Sequence, residues 1–144
     1  QKSSQVEILS VDDDPVNQLV IEEMLTPVGY TVTKCMDGTE ALDLLKRRSY
    51  VPDLILLDVM MPKMSGYEVC QRVREMHPRN QLPIVMVSAK SSADNIVEGL
   101  EAGCNDYVSK PFNRLELLAR IATQLRVKDA WKTDLENARS TKLL

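Results

Sequence analysis

Short apolar runs alternate with amphipathic stretches five times along the chain. The runs at residues 6–11, 31–35, 54–57, 84–87 and 106–108 are the expected strands. Three of them are near-continuous aliphatic, as strands are when both faces of a parallel sheet are covered. Between the runs, apolar residues recur at helical spacing: Ala41, Leu44 and Leu45; Val69, Val73 and Met76; Ile96, Val97 and Leu100. The helix starts carry caps. Asp14 before Pro15 reads as an N-cap followed by the first helical position. Asp37 with Glu40, Ser65 with Glu68, Ser91 with Asp94, and Asn113 with Glu116 have the capping-box form. Pro27, Gly29, Pro52, Pro78, Pro83 and Gly103 punctuate the boundaries. Ser10 interrupts the first apolar run.

Strict strand–helix alternation in so short a chain predicts an α/β fold: a doubly wound, five-stranded parallel sheet flanked by five helices. Right-handed crossovers place helices on both faces. The ligand site of such a sheet lies outside the carboxyl ends of its strands, at the switch point of the winding. The last element differs from the others. From Asn113 the helical pattern runs on with no Gly or Pro after Pro111. Leu115, Leu118, Ile121, Ala122 and Leu125 are expected on the sheet, whereas Val127, Trp131, Leu135 and Ala138 form a thinner stripe among charges. The expected division is therefore a disordered segment at 1–5, a domain over 6–125 and a helical extension over 126–144. The extension reads either as a solvated tail or as a signalling helix that pairs with a second copy or feeds an output domain.

The chain of 144 residues fits one domain plus an appendage, and 44% hydrophobic with 27% charged residues supports a packed core. A net charge of −3 without a cationic segment argues against direct nucleic-acid binding. No apolar run reaches a membrane-spanning length. The start at Gln1-Lys2-Ser3-Ser4, without Met, suggests a piece of a longer protein. Cys35, Cys70 and Cys104 form no C-x-x-C pair and read as small core residues in a reducing cytosol. His77 sits in a loop-like Met-His-Pro-Arg-Asn stretch and carries no expected catalytic or metal role.

The residues just past the strands carry the chemistry. The first strand is followed by Asp12, Asp13 and Asp14, the third by Asp58, the fourth by Ser88 and Ala89, and the fifth by Ser109, Lys110 and Pro111. By the fold argument these converge on one crevice. Several carboxylates about 4 Å apart repel by several kcal/mol at intermediate dielectric. A hard divalent cation with oxygen ligands, Mg²⁺ above all, offsets that repulsion. Lys110 adds a charge suited to a phosphate oxygen and Ser88 a hydroxyl, which completes a set for phosphoryl transfer.

Four blocks, Val11-Asp12-Asp13-Asp14-Pro15-Val16-Asn17, Leu57-Asp58-Val59-Met60-Met61-Pro62-Lys63-Met64-Ser65-Gly66, Val87-Ser88-Ala89 and Tyr107-Val108-Ser109-Lys110-Pro111-Phe112, resemble in order and spacing the signature blocks of response-regulator receiver domains. The resemblance covers residues 6 to 125. It implies a flavodoxin-like receiver fold in which Asp58 is the phospho-acceptor and forms an acyl phosphate. Asp13 would ligate Mg²⁺ directly, Asp12 would help through water, and the backbone carbonyl of Met60 would add a ligand. Lys110 would bridge the acids and then the phosphoryl group, Lys110–Pro111 would be cis, and Ser88 with Tyr107 would form the switch pair. Asp14 would cap a helix. The donor would be a phosphohistidine on a histidine kinase or phosphotransfer domain. The output would be a module in the same chain, of nucleotide-cyclase or kinase type, or a separate protein, with a homodimer through the C-terminal helix. The setting would be cytoplasmic, and the domain a relay component without turnover of a separate substrate. Met60 and Lys90, at the two positions that influence phosphoryl loss, offer no general base, so the phospho-form is expected to last minutes or longer.

Two other readings remain open at this stage. Asp12-x-Asp14-x-Val16, with Ser88 and Lys110, fits a haloacid-dehalogenase-type phosphatase with Asp12 as nucleophile. That reading leaves the Asp58 block unexplained and puts its further acids, Asp129 and Asp134, in the long helix. A degenerate receiver that only binds protein is the other, although every key residue is present.

Overall fold

The computed structural model describes residues 5–143, with side chains through residue 139. Its elements run β1 (Glu7–Val11), α1 (Pro15–Leu25), a 3₁₀ turn at Thr26–Val28, β2 (Thr31–Cys35), α2 (Gly38–Leu45), β3 (Leu54–Asp58), α3 (Gly66–Arg74), β4 (Ile84–Ser88), α4 (Ala93–Ala102), β5 (Asp106–Ser109) and α5 (Arg114–Leu143). All strand pairs are parallel, in the order β2-β1-β3-β4-β5. The winding reverses between β1 and β3, so their carboxyl ends flank the crevice where such sheets bind ligands.

Alternation along each strand divides the core into two layers. Leu9, Val11, Ile55, Leu57, Ile84 and Met86 pack beneath α2 and α3. Ile8, Leu54, Leu56, Val85, Val87 and Val108 pack with Ile21, Leu25, Leu117 and Ile121 of α1 and α5. β3 and β4 are buried along their whole length, which is why they read as unbroken aliphatic runs. The three cysteines are free and buried, and burial pushes their thiols up to about 11 for Cys35 and Cys70 and about 12 for Cys104. These are inert core positions.

Most caps form as expected. Asp14 accepts from Val16 N at 2.8 Å, Asp37 from Glu40 N at 2.8 Å, Ser65 from Glu68 N at 3.3 Å and Asn113 from Glu116 N at 3.1 Å. The start of α4 is a correction. Ser92, not Ser91, caps it and accepts from Asn95 N, while the Asn95 side chain accepts from Ser92 N. Serines stand at both positions, and the reciprocal bonds with Asn95 select the second.

Two apolar faces also differ from expectation. Val97 and Leu100 are exposed, and the small Gly99 and Ala102 form the buried face of α4. On α5, Leu115 is exposed and Leu117 takes the core position, next to Ile121. Past residue 125 the helix stays in contact with the domain: Lys128 Nζ lies 3.2 Å from Asp53 Oδ1 at the amino-terminal edge of the sheet. Gln5, assigned to a disordered segment, accepts from Thr31 Oγ1 at 2.9 Å. The rest of that segment, residues 1–4, lies outside the described residues.

Candidate functional site

β1 delivers Asp12 and Asp13, β3 ends in Asp58, β4 ends in Ser88, and the turn after β5 presents Lys110. The topology therefore brings Asp12, Asp13, Asp58 and Lys110 together from three strand ends. Carboxylate oxygens of Asp12, Asp13 and Asp58 all lie within 4.8 Å of one another, with Asp12 and Asp58 buried and Asp13 exposed. Lys110 Nζ reaches 3.3 Å from Asp12 Oδ2 and 3.7 Å from Asp58 Oδ1.

Each of these side chains is held by its own stretch of backbone. Asp12 Oδ1 accepts from Asp14 N at 2.9 Å, so the acidic turn is folded on itself. Asp14 faces away as the cap of α1 and contributes nothing to the cluster. Asp58 Oδ1 accepts from Met60 N at 3.2 Å, and the Met60 side chain is half-exposed in the following loop. That loop returns to α3 through Gly66, whose N–H donates to Val59 O at 2.9 Å. A Cβ on Gly66 would overlap the Asp58 carbonyl oxygen, so the approach requires glycine. Lys110 N donates to Ser88 O at 2.8 Å and the Lys110–Pro111 peptide is cis.

Burial is the main force on Asp58, and it pushes the carboxyl up to about 6. Lys110 opposes that shift, Asp12 adds to it, the Met60 N–H opposes it and Asp13 adds a little more. A buried carboxylate with two acidic neighbours and one lysine remains short of positive charge. Hard oxygen donors converging on one point are the donor set that a small divalent cation takes, so the residues fit Mg²⁺.

Ser88 is fully buried and its Oγ accepts from Lys90 N at 3.0 Å. Tyr107 is half-buried, and its hydroxyl donates to Lys90 O at 2.5 Å. Both members of the expected switch pair thus meet the backbone of Lys90, in the loop between β4 and α4. The phosphatase reading loses its acid here: Asp14 is committed to the helix cap, and Asp58 occupies the centre of the cluster.

Sequence reasoning missed three residues. Gln18 is buried on α1, and its Nε2 lies 3.0 Å from each of the Ser10, Asp12 and Cys35 carbonyls. It ties β1, β2 and the acidic turn together. A faint signal existed: Gln18, Ile21 and Leu25 share one helical stripe. Tyr67 on α3 lies 3.4 Å from the Tyr107 hydroxyl. Gly99 lies against the Tyr107 ring. Neither pairing has a local sequence signal, because α3, α4 and β5 meet only in the fold.

Comparison with known proteins agrees with this geometry. The family model described as the response regulator receiver domain matches residues 8–122. The chain is 43% identical to a probable transcriptional regulator ycf27 of Porphyridium aerugineum over 122 residues, covering 85% of this chain and 49% of that protein. It therefore spans about half the length of the curated relatives it matches. A CheY-like response regulator receiver domain protein from Methanospirillum hungatei JF-1 superposes with a TM-score of 0.81 at 29% identity, covering 88% of this chain and 98% of that one. The receiver domain of sensor histidine kinase PA1611 from Pseudomonas aeruginosa PAO1, solved with a magnesium ion coordinated in its active-site cleft, gives 0.74 at 36% identity, covering 85% and 98%.

Proposed function

The chain belongs to the response regulator receiver domain family of two-component systems, and from that premise we propose that it accepts a phosphoryl group from a phosphohistidine onto Asp58 and passes the change to an output module. The observation that carries this reading is the buried Asp58 carboxylate, set among Asp12, Asp13 and Lys110 at the carboxyl ends of the strands.

An Asp58 carboxylate oxygen attacks phosphorus in line, the P–N bond to the donor imidazole breaks, and the imidazole leaves with the bonding electron pair. Held by Asp12, Asp13, Asp58 and the backbone carbonyl of Met60, Mg²⁺ would offset charge on the equatorial oxygens of the transferring group. Lys110 supplies a second positive charge on the same oxygens. The Ser88 hydroxyl, on the Lys90 amide in this structure, turns to the phosphoryl group. The space it leaves couples to Tyr107, and the face formed by α4, β5 and α5 responds. This is a two-state equilibrium biased by a local change of charge.

A histidine kinase or a histidine phosphotransfer domain is the donor. Supporting this, Val16, Leu19 and Val20 are exposed on α1. A depression of about 440 Å³, lined by Asn17, Val20, Ala89, Lys110, Pro111 and Phe112, opens between that face and the site. Apolar surface beside a charged crevice suits a helical partner that presents one histidine. The output module stands in the same chain, of nucleotide-cyclase or kinase type, or in a separate protein, and α5 leads towards it. The setting that goes with this family is cytoplasmic. Among the described residues, no helix is long and apolar enough to cross a membrane.

Labelling with acetyl phosphate or BeF₃⁻ in the presence of Mg²⁺ tests the reading. Asp58→Asn is expected to abolish it. Labelling that survives this change and disappears in Asp12→Asn restores the phosphatase, and a wild-type chain that takes no label is a protein-binding module only.

A further inference from the structure

The Tyr107 hydroxyl has one proton, and the Lys90 carbonyl takes it at 2.5 Å. Its lone pairs then face the hydroxyl of Tyr67, 3.4 Å away on α3. The Tyr67 hydroxyl also lies 3.3 Å from the Asn95 carbonyl in the first turn of α4. One tyrosine pair thus bridges α3, β5, the first turn of α4 and the β4–α4 loop. Asn95 is the residue whose side chain closes the α4 capping box with Ser92, so the single Tyr67 proton has two acceptors in reach, the Tyr107 oxygen and a carbonyl of the turn on which the start of α4 depends, and bonds one of them at a time.

Room for the pair comes from Gly99. A Cβ there would stand 2.9 Å from the Tyr107 ring and 3.0 Å from Met86 Sδ. Glycine in a helix interior lowers its stability relative to alanine, yet Gly99 has an ordinary helical backbone, since it is absent from the positive-φ glycines. Contact with the tyrosine, not backbone conformation, is therefore what a larger residue would disturb.

We infer that Tyr67 is a positioning residue of the switch, latching Tyr107 in the gap beneath Gly99 so that phosphorylation, the latch and the β4–α4 loop share one equilibrium. This rests on Asp58 being the phospho-acceptor. In the latched position the ring lies under α4 while the Ser88 hydroxyl accepts from the Lys90 amide, so the latch and the serine meet at one residue. Loss of the latch therefore shifts the affinity for a phosphoryl mimic at Asp58 by linkage, although the Tyr67 hydroxyl meets Tyr107 and Asn95 rather than the acids or Lys110.

The test uses the full chain with ¹³C-labelled tyrosine, of which there are only 4. Tyr67→Phe is expected to move the Tyr107 ring resonance. It should also shift the BeF₃⁻ concentration for half-saturation in Mg²⁺ about two- to ten-fold, the range that one neutral hydrogen bond spans. Gly99→Ala, whose Cβ would crowd the Tyr107 ring, should act in the same direction. In a Tyr107→Phe background, Tyr67→Phe should have little further effect on BeF₃⁻ binding. The latch is overturned if Tyr67→Phe binds BeF₃⁻ like wild type with Tyr107 unmoved, or if its effect is undiminished in the Tyr107→Phe background. A wild-type chain that binds no BeF₃⁻ overturns the phospho-acceptor reading itself, and the latch with it.

Discussion

At the scale of single residues, the electrostatic cost of the acidic cluster is concentrated in Asp58. Its carboxyl is pushed from the ordinary 3.8 to about 6, chiefly by burial. Between those values the folded chain holds a proton that the unfolded chain has released. The stability contributed by the protonated acid is therefore complete below the unfolded value and is lost as pH rises through about 6. The gap corresponds to roughly 3 kcal/mol. Asp58→Asn, which keeps the shape and removes the charge, should gain about 1–3 kcal/mol at neutral pH without divalent ions and flatten the pH dependence in the acid range. Urea unfolding across that range checks both; a variant no more stable than wild type would show that the ionised carboxylate costs nothing there. The same titration governs the metal. Mg²⁺ should bind more weakly as pH falls through about 6, releasing protons as it binds. Calorimetry in two buffers of different ionisation enthalpy reads that release as a difference in observed heat, and identical observed heats would contradict it. These residues were all legible in the sequence, because the ends of parallel strands must converge.

At the scale of elements, local capping chemistry proved readable and helix faces less so. α1 inverts the usual rule: Val16, Leu19 and Val20 are exposed while Gln18 is buried. Polarity alone would place glutamine outside. What reverses it is the set of backbone carbonyls at the carboxyl ends of β1 and β2, of Ser10, Asp12 and Cys35, which the buried side-chain amide reaches at 3.0 Å. Gln18→Leu removes the side-chain donor from those carbonyls and should cost about 1–3 kcal/mol. It should also loosen the turn that presents Asp12 and Asp13, weakening Mg²⁺ binding beyond what the loss of stability explains. Urea unfolding with parallel Mg²⁺ titration measures both, and a stable variant with normal affinity would reduce Gln18 to filler. α4 errs in the other direction. Ile96, Val97 and Leu100 look like a core stripe, yet the close approach of the helix at Gly99 and Ala102 turns Val97 and Leu100 outward. Nothing in the local pattern announces that approach, because its cause is the Tyr107 ring on another element.

At the scale of the whole molecule, α5 links the two ends of the sheet. It begins four residues after Lys110 and runs for 30 residues, about 45 Å at the α-helical rise. Lys128 meets Asp53 at the far edge, and Asp53 Oδ2 in turn accepts from Glu7 N at 2.7 Å. Sequence pattern could announce the helix but not this anchor, since an isolated lysine and aspartate 75 residues apart carry no pairing signal. The pair is partly exposed, so Lys128→Met should cost less than about 1 kcal/mol; the anchor orients the helix more than it stabilises the domain. Beyond it Trp131 and Leu135 are half-buried beside Asn80 and Gln81, and just before it Val127 is exposed, a stripe that one domain covers only in part. If that stripe pairs with a second copy when the site is charged, the full chain should become dimeric with BeF₃⁻ and Mg²⁺, whereas a chain ending at Leu125 should stay monomeric. Light scattering on both, with and without the mimic, decides the matter. Monomers under all four conditions would leave α5 as a lever that needs a different partner, and a dimer indifferent to BeF₃⁻ would uncouple the helix from the site.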